Sequence, residues 1–99
     1  MKVRFAGRSV RVRLDDLEID MLLRRQPLQL ALSWPQGGWS LRLEPEGAEV
    51  VAEGGSLTIG LSGHLETLLD PLQEGVHFEA FGGDLKLSIE KDFRPEHLA

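Results

Sequence analysis

The sequence contains no cysteine. That absence excludes disulfides, a thiolate nucleophile and the cysteine cage of structural zinc sites, and it leaves the redox compartment open. No apolar run approaches the roughly 20 residues that a membrane-spanning helix requires. The opening stretch MKVRFAGRSVRVR alternates between apolar and charged residues instead of forming the apolar core of a signal peptide. The expectation is a cytoplasmic chain that does not enter a membrane. Histidine is scarce, and His64, His77 and His97 fall at no metal-ligand spacing, so each is read as a solvated side chain. Ser62 close to His64 does not by itself create the geometry of a nucleophile and its base.

What is present fits one small globular domain: 99 residues, 41% of them hydrophobic and 27% charged. The net charge of -5 is unevenly placed, with residues 1–25 summing to +3 and the remainder to -8. An acidic balance argues against nucleic acid as the principal partner. The unequal halves suit self-association between a basic and an acidic surface, though a mixed solvated face is the commoner explanation.

Alternation is the dominant pattern. Val3 and Phe5 oppose Lys2 and Arg4, Gly7 turns the chain, and Val10, Val12 and Leu14 oppose Arg11 and Arg13, which describes a hairpin with an Arg-rich outer face. Asp15 and Glu18 stand at capping-box spacing and open a helix that Pro27 ends, with Leu17 and Met21 one turn apart. Leu28, Leu30, Leu32 and Trp34 share one parity, a Pro-Gln-Gly-Gly turn follows, and Trp39, Leu41 and Leu43 return. After a junction at Glu44 to Gly47, the order repeats. A strand over 48–52, an alternating Leu57, Ile59 and Leu61, a helical stripe of Leu65, Leu68, Leu69 and Leu72, then Val76, Phe78 and Ala80 turning at Gly82-Gly83 into Leu85, Leu87 and Ile89. GSLTIGLSGHLETLLDP in this half resembles RSVRVRLDDLEIDMLL in the first.

The expected fold is therefore α+β, with two ββαββ halves at 1–46 and 47–93 and a surface tail at 94–99. The halves would be related by a pseudo-twofold axis if they arose by duplication, and would share a curved antiparallel sheet or a partly closed barrel flanked by two short helices.

The acidic run Asp15, Asp16, Glu18 and Asp20 lacks the glycine and distal glutamate of a calcium loop, and the Gly-Gly pairs lack the lysine and hydroxyl residue of a phosphate loop. No constellation supplies catalysis, and no cofactor or metal is implied. Arg4, Arg11 and Arg13 form the concentrated positive surface, and Trp34 and Trp39 flank a hairpin turn where tryptophans often anchor contacts. These five are the candidate contact residues. Their leading interpretation is a protein-interaction domain, with a homodimer as one form; the alternative is a module that takes a small anionic ligand or nucleic acid through the Arg-rich hairpin.

Residues 2–14, KVRFAGRSVRVRL, and Glu90-Lys91-Asp92-Phe93 near the other end resemble a group of short bacterial proteins of unknown function. Members of that group begin K-[LV]-R-x-x-G-x-S-[IV]-R-x-R-L and end in E-K-D-F. Its members often carry a cysteine after that phenylalanine, where this chain has Arg94 and Pro95. The resemblance implies no activity. Within Glu90-Lys91-Asp92-Phe93, the charged residues could hold a ligand or end the last strand with local ion pairs while Phe93 packs on the core, and the second is the expected arrangement.

Overall fold

The computed structural model describes residues 1–92; Phe93, His97 and the tail expected over 94–99 lie outside them. The chain runs through β1 (Lys2–Ala6), β2 (Ser9–Leu14), α1 (Asp16–Leu23), β3 (Leu28–Trp34) and β4 (Gly37–Glu44). It then passes through β5 (Val50–Glu53), β6 (Ser56–Gly60), α2 (Leu65–Leu69), β7 (Gly75–Ala80) and β8 (Leu85–Lys91). The class is α+β, and each short turn joins an antiparallel pair: β1 with β2, β3 with β4, β5 with β6, β7 with β8.

The expected curved antiparallel sheet or partly closed barrel is not what forms. Two open four-stranded sheets are present, in the orders β1-β2-β8-β7 and β3-β4-β6-β5. In each, the two inner strands run parallel, β2 with β8 and β4 with β6. Alternation and tight turns dictate hairpins, because a two-residue connection forces its strands to be antiparallel neighbours. They carry no information about which hairpins then lie side by side. Each sheet takes one hairpin from either half of the sequence, and exchanging the halves converts the order β1-β2-β8-β7 into β5-β6-β4-β3, the other sheet read backwards.

Two compact units follow. The first comprises residues 1–19 and the described residues from Glu66 onward, and the second Asp20–Leu65, so the divisions fall within α1 and at the start of α2.

In the first unit, cross-strand rows make the apolar sheet face: Val3, Val12, Ile89 and Val76 in one, Phe5, Val10, Leu87 and Phe78 in the next, with Phe5 at the exposed margin. Val10, Val12, Leu14, Val76, Leu87, Ile89 and the α2 residue Leu68 are buried. The capping box at α1 is present as its spacing requires. Asp15 Oδ1 accepts the Glu18 backbone N–H at 2.9 Å, and Glu18 Oε1 accepts the Asp15 N–H at 3.0 Å. Such a cap contributes about 1 kcal/mol.

In the second unit, Leu22, Leu28, Leu41, Leu43, Ile59, Leu61 and Leu65 are buried. Strand β6 lies between β4 and β5, so the chain leaving β4 must cross the end of β6 to reach the far edge. Gly60 makes that crossing close. A Cβ there would lie 2.5 Å from the Gly47 carbonyl oxygen and 2.7 Å from the Glu49 nitrogen. The crossing is tied down by the Gly60 N–H donating to Glu49 O and the Ser62 N–H donating to Gly47 O.

Each helix is covered over only part of its apolar pattern, Leu22 in α1 and Leu65 with Leu68 in α2. In α1 only Leu22 is buried, while Leu17 and Met21 face solvent. In α2 the apolar stripe stops early: the helix ends at Leu69, Asp70 Oδ1 accepts the Leu72 N–H at 2.9 Å in a turn, and Leu72 is 89% exposed. Pro71 has no N–H to continue the helix, so Leu72 never reaches the stripe.

Candidate functional site

Sequence candidates divide between the two units. Arg4, Arg11 and Arg13 belong to the first and Trp34 and Trp39 to the second.

On the first unit's sheet, the face opposite the core carries Lys2 beside Arg13, Arg4 beside Arg11, and Ser9 beside Lys86. The pleat puts these on one side because β1 and β2 alternate in register. Lys2, Arg4, Arg11 and Arg13 line a shallow depression there. The cluster is partly neutralised. Arg11 Nε stands 2.8 Å from Glu90 Oε1, a charge contact whose angle falls short of a hydrogen bond, and Lys2 Nζ donates to Asp92 Oδ2 at 3.4 Å. Arg4 and Arg13 are exposed without an ion pair among the described residues. Farther along the same face, His77 Nδ1 lies 2.9 Å from Ser88 Oγ across the β7–β8 pair.

Glu90 in β8 and Asp92 just after it are thus engaged, with Arg11 and with Lys2, partners on other strands rather than the local ion pairs expected. Lys91 Nζ donates to the Asp70 carbonyl oxygen at 2.6 Å. Burial pushes the Lys91 ammonium below its usual value, and the Asp70 carboxylate opposes that shift. Among the described residues, no three His, Cys, Asp or Glu side chains gather where they could hold a metal.

In the second unit the apolar sheet face extends past its core. Leu28 pairs with Leu43, Leu30 with Leu41, Leu32 with Trp39 and Trp34 with Gly37. Only the Leu28 end is covered. Leu30 is 38%, Leu32 63% and Trp34 52% exposed, and Trp39 is half-buried beside them. The Trp34 indole lies across Gly37, where an added Cβ would come 2.6 Å from Nε1. Pro35 and Gln36 make the turn, Gln36 at φ 67 in the position of a type II turn that demands positive φ.

Strand β3 is also an edge strand. Its sequence LQLALSW has no charge, whereas the other three edges carry Lys2 and Arg4 in β1, Glu53 in β5, and His77 with Glu79 in β7. Parity alone assigns Trp34 to the core's margin, with Leu30 and Leu32 beside it; the structure leaves all three open to solvent. Four large apolar residues of one parity in a strand free of charge are the sequence signal for an uncovered edge.

No helix among the described residues is long and apolar enough to cross a membrane. Residues 1–96 match the model of a family described as of unknown function, DUF7009. Comparison with curated proteins and with solved structures gives no significant match to either.

Proposed function

We propose a role in protein contact for this chain, which belongs to the DUF7009 family of unknown function, with the β3–β4 hairpin as the contact surface and self-association as its form. The observation that carries the proposal is the exposed apolar row Leu30, Leu32 and Trp34 on an uncharged edge strand. Isolated surface leucines need no explanation, but adjoining ones beside half-buried Trp39 make a patch that water does not favour. Tryptophan also anchors interfaces more often than its abundance predicts.

Both tryptophans lie in this hairpin and the chain has no tyrosine, so intrinsic fluorescence reports on the surface directly. Emission is expected to move to shorter wavelength as protein concentration rises and the indoles leave water. Self-association with unchanged emission would place the contact elsewhere.

A second reading rests on Arg4 and Arg13, whose guanidinium groups remain available beside a depression on the first unit's sheet. That surface suits a small anion. It does not suit single-stranded nucleic acid equally well, because Phe5 sits on the other side of the sheet and β1 and β2 offer no ring for base stacking. Binding of inorganic phosphate or a short polyanion that weakens with salt and disappears in the Arg4→Ala/Arg13→Ala double variant would favour this reading; binding unaffected by those changes would remove it.

A further inference from the structure

The open edge of β3 has a hydrogen-bond pattern that fixes which of its residues can pair with a further strand. Ser40 donates its backbone N–H to Gly55 O, on the β6 side, so Trp39, Leu41 and Leu43 direct theirs toward β3. Their partners Leu32, Leu30 and Leu28 return those bonds. The N–H and C=O groups of Gln29, Ala31 and Ser33 consequently point away from the sheet, and no backbone bond within the described residues uses them.

We infer that β3 pairs with β3 of a second copy, antiparallel, with the twofold axis at Ala31. This rests on the contact reading above and specifies its partner and register. With Ala31 opposite Ala31, Gln29 of each copy faces Ser33 of the other, and every outward N–H and C=O of these three residues finds a partner. Sliding the register by two residues in either direction instead brings Pro27 or Pro35 opposite an outward group, and proline has no N–H to give. The same register sets Leu30 against Leu32 and Leu28 against Trp34 on the apolar face. The exposed row thereby becomes a continuous cross-strand apolar ladder.

The composition of the edge agrees. Exposed edge strands are ordinarily protected by charge, by proline, by a bulge or by shortness, and β3 has none of these over its 7 residues. It is longer than the other edges β1, β5 and β7, which have 5, 4 and 6 residues and each carry at least one acidic or basic residue. A second copy is the fitting occupant because a seven-residue strand of this pattern is complementary to itself about its own midpoint.

The absence of native cysteine makes the register directly readable. Directly opposed, hydrogen-bonded residues have Cα atoms about 5.5 Å apart. The opposed Cβ atoms of such a pair lie about 5.5 Å apart, wider than the roughly 3.5–4.5 Å of a direct disulfide, so Ala31→Cys is expected to give a dimer linked by a short thiol-to-thiol reagent. Ser33→Cys alone should form far less, since its counterparts would be four residues apart, at about 3.3 Å per residue. A mixture of Gln29→Cys and Ser33→Cys chains should cross-link as the mixed pair. Failure of Ala31→Cys to cross-link, or equal cross-linking by Ser33→Cys alone, overturns the inference. If the concentration-dependent tryptophan shift persists in that case, contact through the hairpin stands and only the edge pairing falls; if the shift is absent as well, both fall.

Discussion

Leu41→Ala and Leu87→Ala are each expected to lower the free energy of unfolding by about 2–5 kcal/mol, the range for truncating a buried leucine in a packed core. Leu41 has no exposed surface and Leu87 has 1%. Each sits on an inner strand of its own sheet, Leu41 on β4 and Leu87 on β8, with a parallel neighbour on one side and a hairpin partner on the other. Their neighbours cannot collapse into the vacated volume without disturbing two ladders, which puts the cost above that of transfer alone. Urea denaturation measures it. Leu72→Ala is the control, since its exposed side chain should change stability by no more than about 0.5 kcal/mol. A near-unaltered midpoint for either buried leucine would contradict the assigned strand faces.

Gly60→Ala should be the other strongly destabilising change, at about 1–3 kcal/mol or more. The added methyl would come within 2.5 to 2.7 Å of three backbone atoms, the Gly47 O and C and the Glu49 N. Backbone cannot rotate aside as a side chain can, so β6 or the crossing segment must move, and the bonds joining Gly60 to Glu49 and Ser62 to Gly47 go with it. Gly63→Ala provides the comparison, because a Cβ there meets nothing within 4 Å. Equal stability of the two variants would mean that the crossing is looser than it is drawn.

These two predictions separate what the sequence makes legible from what it hides. Local chemistry is legible. Asp15 and Glu18 stand three residues apart and bond reciprocally, and the alternation of Val10, Val12 and Leu14 with Arg11 and Arg13 places each on its proper side of the sheet. Partnership between distant segments is not. Nothing near Arg11 indicates that Glu90 will meet it, and nothing near Leu14 indicates a parallel neighbour in β8. That is why one curved sheet was the natural expectation and two mixed sheets are the outcome.

Gly60 shows the same limit at a single residue. Alternation with Ile59 assigns it to the outer, solvated side, yet it is buried because the segment leaving β4 passes over it. Conversely, Leu30, Leu32 and Trp34 have the parity of a core and remain exposed, since a pattern defines which face is apolar but not how far its cover extends. The contact candidates follow suit. Trp34 and Trp39 are visible as residues, whereas the uncovering of Leu30 and Leu32 beside them and the outward backbone of β3 need the sheet order.

Solution mass over a concentration series, by sedimentation equilibrium, tests the central claim most directly when the unaltered chain is run beside Ala31→Pro. Proline at that position removes an outward N–H and leaves the β3–β4 ladder whole, so it discriminates the edge from the fold. The unaltered chain should approach twice its single-chain mass as concentration rises, and Ala31→Pro should stay at the single-chain mass throughout. A single-chain mass for both at every concentration, or identical self-association by both, would contradict pairing through β3.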